Sequence, residues 1–493
     1  MNAHPAMLAW PTSPDDDRGT ALWTAREIAE ATGGRASAPF AVAGVGIDSR
    51  EVMEGEFFLA LKGGNSDGHR FLDGAFARGA AGALVDRPVD YPHVLVEDTT
   101  AALEALAIAA RARVDAGVIG VTGSVGKTGV KEAIFAALDR GSRGRAHRSV
   151  KSYNNHVGVP LSLSRMPSRT RFGIFEMGMN HAGELAALTR LVRPHVAVVT
   201  TVGPAHIENF NGEEGIADAK GEIFEGLEPG GTAIIPADNR HFERLKAKAA
   251  RHAGRIVSFG TAAHADVRLI DAVPAPGGGT LVTADLEGRK LCYTVAMPGE
   301  HWIANSLAVM AAVSAIGGDL GAAGLALAEM EGLAGRGARH RIPASGGDGS
   351  GEALLIDESY NANPASMRAT LAQLGLTPAA RRVAVLGAMR ELGADGPRYH
   401  AELIEPLRAA KVDRVILVGP EMAPLAEALG KSDSPMLAGG IETDHVQTTA
   451  EAAECLASNG PRGGPRGGDA ILVKGSNSVG LGALVRALTA REN

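Results

Sequence analysis

Residues 118–132 read VIGVTGSVGKTGVKE: a β-branched run, a turn with two glycines, then Lys127, Thr128 and a helix-forming stretch. A strand that feeds a glycine-rich turn into a helix start makes a cradle for phosphate. Backbone N–H groups from Gly123 to Thr128, including Ser124 and Gly126, can converge on one anion, the helix N-terminus adds its positive end, and Lys127 adds a mobile cation. Thr128 then stands where its hydroxyl can reach a magnesium ion. The longer phosphate-loop pattern GxxxxGK[ST] wants Gly where Val121 stands, so only GxxGKT is complete, and an ordinary turn is the alternative. Strand, turn, Gly-Lys-Thr and helix occurring together favour nucleotide binding.

A chain of 493 residues exceeds one core and suggests three domains at roughly 100–200 residues each. With 21% charged residues and a formal net charge of −7, no general affinity for nucleic acid or an anionic membrane is implied. Any polyanionic ligand must be held locally. Cys292 and Cys455 are far apart and fit no metal spacing, which suits buried small hydrophobes in a reducing compartment. Asp15, Asp16 and Asp17 stand where a signal peptide needs an apolar core, and no run reaches about 18 apolar residues. We expect a soluble cytoplasmic enzyme without membrane insertion.

Residues 23–34 predict a helix capped by Thr24 and stopped by Gly33 or Gly34. From 45 to 86, short strands alternate with polar turns. Ser49 and Arg50 end one strand, and a loop from Lys62 to His69 follows the next. This loop can grip a phosphate or ribose, although on the residues alone a solvated turn is the better reading. From Val118 onward, strands alternate with helices, the signature of a mainly parallel sheet covered on both faces. Ligands of such sheets sit at the carboxyl ends of the strands. Glu176 ends FGIFE, and His206 lies just beyond HVAVVTTVG. A carboxylate inside an apolar strand calls for a partner or a metal, so Glu176 is a magnesium candidate, with a buried ion pair as the alternative. His206 is equally well an ordinary loop histidine.

Residues 232–296 predict an antiparallel flank of short strands, and 297–318 a helix opening near His301 with Asn305 suited to a base or ribose. The stretch 332–351 reads as a Gly- and Arg-rich link in which Arg336 can reach phosphates. A second doubly wound domain follows, its strand ends carrying Asp357, Tyr360, Asn361, Arg390, Glu391 and Lys474. PRGGPRGG (461–468) reads as a mobile loop.

IDSR and DGHRF, TGSVGKTGVKE, YNNHVGVPL, EMGMNHAGEL, AHIENF, AKGEIF, DESYNANPASM, RELG and LVKGS, in this order, resemble the Mur ligase family of ATP-dependent amide-forming enzymes in bacterial cell-wall synthesis. The resemblance covers nearly the whole chain. It implies three α/β domains: residues 1–114 for a UDP-linked substrate, a central doubly wound phosphate-loop domain over 115–340, and a Rossmann-like domain over 341–493 for the incoming dipeptide and closure. It also implies ATP and Mg2+, with Lys127 and Thr128 on phosphates and metal, and Glu176 and His206 completing the metal shell. Lys220, on its residues alone an exposed helical lysine, matches a lysine that such enzymes carry as a carbamate. Asn305, Arg336 and Asp357 match nucleotide contacts. Asn155 falls in a substrate-facing motif, Ser49, Arg50, Asp67 and His69 in the uridine-nucleotide domain, and Tyr360 and Asn361 beside the dipeptide.

The implied substrates are UDP-N-acetylmuramoyl-tripeptide and D-alanyl-D-alanine, joined by a monomer. No DNPR-like element of a diamino-acid-adding relative is present. A phosphate-loop kinase or ATPase that forms no amide is the alternative of another class. Three positions depart from the family pattern: Ala388 where Asp is usual, Asn477 where Arg often follows KGS, and Gly129 where Thr is frequent.

Overall fold

The computed structural model describes residues 21–63, 66–205, 207–276, 278–345, 350–432, 440–457 and 463–490. The chain forms two compact units. One comprises Met1–Val118 with Leu138–Phe175, the other Ile119–Ala137 with Glu176–Asn493.

In the first unit, the strands Gly44–Gly46, Glu56–Leu59, Gly82–Val85 and His93–Leu95 run parallel, and Arg35–Ala36 closes the far edge antiparallel. Alternation along Glu56–Leu59 sends Phe57 and Leu59 into a core with Ile28, Leu103, Leu106 and Leu161, and Phe58 into an opposite layer with Leu72 and Val85. The helix Ala25–Thr32 begins as expected: Thr24 accepts from the Glu27 N–H, Glu27 accepts from the Thr24 N–H, and Gly33 ends the helix in the left-handed region.

In the second unit, the strand ending at Thr122 pairs in parallel with Val196–Val199, followed in parallel by Thr232–Pro236, Arg255–Gly260 and Val267–Pro274. Only Thr280–Leu286 and Arg289–Val295 continue antiparallel. The antiparallel flank expected over 232–296 is therefore half as long. The helix Phe242–Ala249 supplies the crossover that keeps Thr232–Pro236 and Arg255–Gly260 parallel. Cys455 is buried, but Cys292 is exposed on the antiparallel strand, against the expectation for both.

A six-stranded sheet follows in the order Ala338–Pro343, Glu352–Glu358, Asp469–Lys474, Arg381–Gly387, Arg414–Val418 and Glu442–Val446, parallel except for its first strand. Apolar layers cover both faces. Much of the expected link 332–351 is thus an edge strand, because Ala338–Pro343 pairs with Glu352–Glu358 through its whole length. The described part of 461–468 is fastened rather than loose: Gly463 accepts from Arg414, and Pro465 accepts from the Ser345 N–H. Among the described residues, no helix is long and apolar enough to cross a membrane.

Candidate active site

The strand Gly117–Thr122 ends in a loop whose Gly123 and Gly126 have φ of +150° and +87°, values that favour glycine. The space is closed as well. A Cβ on Gly123 would lie 1.9 Å from Thr200 Oγ1, and one on Gly126 would lie 2.8 Å from Asn305 Oδ1. Bonds from the neighbouring strand end hold the loop: the Ser124 N–H donates to Thr201, the Ser124 hydroxyl donates to Gly203 at 2.9 Å and accepts its N–H at 3.0 Å, and Thr200 donates to Val125. Residue spacing gave no sign of this clasp. It engages both the hydroxyl and the N–H of Ser124, so that N–H turns to Thr201 and not into the expected convergence on an anion.

The helix Lys127–Ser142 starts at the loop. Lys127 Nζ donates back to Gly123 O at 2.7 Å, folding the cation over the cradle. Thr128 is buried and donates to Glu176 Oε2 at 2.8 Å. Glu176 is 0% exposed, and its strand end is fixed by the Met177 N–H donating to Val121 O.

Lys220, on the helix Glu213–Gly221, is 2% exposed rather than solvent-facing as its residues alone suggested. Burial, then the nearby charge of Lys127, pushes its pKa well below the usual lysine range. The Lys127 pKa is also lowered, chiefly by burial; Glu176 opposes the shift and Arg336 adds to it. Lys127 thus lies within electrostatic reach of Glu176, Arg336 and Lys220, and of these Lys220 is the group driven towards its neutral form.

Arg336 lies over the Tyr360 ring, 4.3 Å from its centroid. Its turn is held by Asp357, whose Oδ2 accepts from the Gly335 N–H at 2.7 Å and whose Oδ1 accepts from the Ser359 hydroxyl and N–H. Asp357, expected at the nucleotide, thus shapes the Arg336 turn. Asn361 accepts from the Ala362 N–H through its side chain and from Lys474 Nζ through its carbonyl. Lys474, left without a role in the sequence reading, is buried, and its pKa is lowered chiefly by that burial. His206 lies outside the described residues.

The other expected substrate residues belong to the first unit. Arg50 pairs with Asp48 through two hydrogen bonds, at 2.9 and 2.7 Å, holding the Asp48 carboxyl down at about 2. Ser49 stands between them in sequence. Asp67 accepts from Arg87 and from His69 Nδ1, and buried His69 accepts the Asp86 N–H at Nε2, so these two residues brace the loop from inside. Asn155 Oδ1 accepts from the Val157 and Gly158 N–H groups, starting the helix Gly158–Ser164.

Among the described residues, no group of three or more His, Cys, Asp or Glu is placed to hold a metal. The buried pair of Thr128 hydroxyl and Glu176 carboxylate still fits magnesium, which takes oxygen ligands and uses few from protein.

Successive segments of the chain match the signatures "Mur ligase family, catalytic domain" (41–118), "Mur ligase middle domain" (121–313) and "Mur ligase, glutamate ligase domain" (346–477). The Escherichia coli K12 UDP-N-acetylmuramoyl-tripeptide--D-alanyl-D-alanine ligase is 35% identical, over 90% of this chain and 92% of its own. The chain belongs to the Mur ligase family.

Solved structures of the family agree with this Mur ligase. MurF from Acinetobacter baumannii superposes with a TM-score of 0.77 at 29% identity, covering 95% of this chain and 99% of that one. MurF from Thermotoga maritima, solved in complex with ADP, gives 0.70 at 25% identity, covering 91% and 97%. The Mur ligase has the three-domain α/β architecture expected from its motifs. At Ala388 and Asn477, two of its three departures, the structure places adjoining turns: Ala388 is buried and its carbonyl accepts the Ser476 N–H, while Arg390, two residues on, pairs with Glu421.

Proposed function

We propose that this Mur ligase joins D-alanyl-D-alanine to UDP-N-acetylmuramoyl-tripeptide at the expense of ATP, in peptidoglycan synthesis, as a cytoplasmic monomer. The observation that carries the reading is the end-to-end relationship with the Escherichia coli ligase of that name, over 90% of this chain. In this reading, residues 1–114 receive the UDP-linked substrate, 115–340 bind ATP, and 341–493 take up the dipeptide and close. Ser49, Arg50 and Asn155 face the UDP-linked substrate, with Asp67 and His69 shaping the loop beside them. Tyr360 and Asn361 face the dipeptide.

A carboxylate is a poor electrophile, since attack on it must expel oxide. Its oxygen therefore first attacks the γ-phosphorus of ATP, the bond to the bridging oxygen breaks, and ADP leaves an acyl phosphate. The amine of the dipeptide attacks the acyl carbon, phosphate departs from the tetrahedral intermediate, and the nitrogen loses its proton. Lys127, the backbone N–H groups of 125–128 and Arg336 meet the charge on the moving phosphoryl group, while Asn305 orients the nucleotide. Magnesium, when bound by Thr128, Glu176, His206 and modified Lys220, neutralises phosphate charge.

Lys220 has the chemistry for that modification. Burial and the charge of Lys127 favour its neutral amine, whose nitrogen can add to carbon dioxide, lose a proton and become an anionic carbamate. Water must be kept from the acyl phosphate. Closure about the turn at 330–337, ahead of the edge strand, serves that need.

The test is phosphate release with ATP and magnesium, adding each substrate separately and then together, with mass spectrometry of the product. Release requiring both, with a pentapeptide product, is expected. Release without the dipeptide, or without an amide, would favour simple phosphotransfer.

A further inference from the structure

Two glycines on the phosphate-loop side, Gly126 and Gly129, face two side chains of the helix Glu300–Ala315, Asn305 and Trp302. Each pair is spaced by three residues, about one helical turn. Gly126 is required by its φ of +87°. Gly129 has no such reason. It sits in a helix, where glycine costs about 1 kcal/mol relative to alanine. A Cβ there would lie 2.7 Å from Trp302 Cη2 and 3.0 Å from Cζ2, and the indole is only 8% exposed, so it has little room to move aside. Even alanine does not fit without displacing the ring.

We propose that Trp302 is a positioning residue for ATP, with Gly129 as its socket. The indole seated at Gly129 sets how closely the helix carrying Asn305 approaches the loop carrying Lys127 and Thr128, and so fixes the nucleotide contacts of Asn305 relative to the phosphate cradle. Asn305 Oδ1 already stands where a Cβ on Gly126 would clash, so the two helix starts interlock at two points. A side chain at 129 pushes the helix outward; a small residue at 302 lets it collapse or slide. This inference rests on the reading of 123–128 as the ATP site.

The experiment is calorimetric titration of ADP into the full-length protein and its variants, together with the KM of each substrate. Gly129→Val and Trp302→Ala are each expected to weaken ADP binding about tenfold, while the pair returns to within about threefold of wild type, a coupling of the size found for contacting residues. Trp302→Phe keeps most of the affinity. Only the KM for ATP rises; those for the UDP-linked substrate and the dipeptide stay. Additive losses in the pair, wild-type ADP affinity in Gly129→Val, or equal rises in all three KM values would overturn the proposal. Should Gly129→Val fail to fold alone, recovery of folding and ADP binding in the pair supports the socket, and its absence overturns it. If wild type itself binds no ADP, the phosphate-site reading fails first.

Discussion

Thr128 donates its hydroxyl proton to Glu176 across 2.8 Å, joining the first turn of the phosphate-loop helix to the end of a different strand. Both groups are buried, so the bond fixes the direction of each oxygen. Glu176→Gln keeps an acceptor for Thr128 but removes the negative charge. Ligation is expected to fall by roughly 10²–10³-fold, as for loss of one electrostatic contact in a preorganised site. The melting temperature should move little. Ligation rates and thermal melts check both; near-normal turnover would remove Glu176 from the metal site.

Lys127→Ala removes the cation folded over Gly123 O. Turnover is expected to vanish while far-UV circular dichroism stays native, because the clasp through Ser124 and Gly203 holds the loop independently. Retained ligation would overturn its phosphate role.

Gly123→Ala should lose both stability and nucleotide binding. Its Cβ would meet Thr200 Oγ1 at 1.9 Å in a backbone conformation alien to alanine. Overpacking of this kind costs about 1–3 kcal/mol. Denaturant unfolding and ADP titration measure the two losses, and wild-type values in both would contradict the closed geometry.

For Lys220, added bicarbonate should raise activity of protein depleted of carbon dioxide. Lys220→Ala should be inactive and partly rescued by a short free carboxylate. Indifference to bicarbonate together with no rescue would rule out the carbamate.

His147 offers a pH test in the first unit. Burial chiefly, with Arg165 and Arg148 nearby, lowers its pKa from 6.5 to about 4, against the bond from its Nε2 to Ser162 O. The unfolded chain then takes up a proton first as pH falls, so stability is level above about pH 6.5 and declines down to about pH 4. His147→Gln should flatten that decline. Melting temperatures from pH 7 to 4 decide it, an unchanged slope counting against His147.

The strand, glycine turn and helix start at 117–142 were legible because their parts are local: the two glycines, Lys127 and Thr128 lie within one turn and the helix it starts. The parallel sheets were legible from apolar strands alternating with helices. What escaped depends on burial and on distant pairing. Lys220 looks like any helical lysine until tertiary packing covers it. Ala338–Pro343, polar and beside glycines, read as link because its pairing with Glu352–Glu358 leaves no periodic trace. The bond of Asp357 to Gly335 also escaped, because it joins residues across the pairing of two strands. The Gly129 departure became intelligible only with Trp302 in view, contributed from the far end of the central domain.

The anchoring of Gly335 by Asp357 also assigns Arg336 an owner. Asp357 belongs to the strand Glu352–Glu358, so the turn that carries the arginine is anchored to the C-terminal sheet, while its charge is felt by Lys127 of the loop at 123–128. On the proposed reading of 123–128 as the ATP site, Arg336 then acts as a lever arm of that sheet: a shift of Asp357 moves its charge relative to the phosphates.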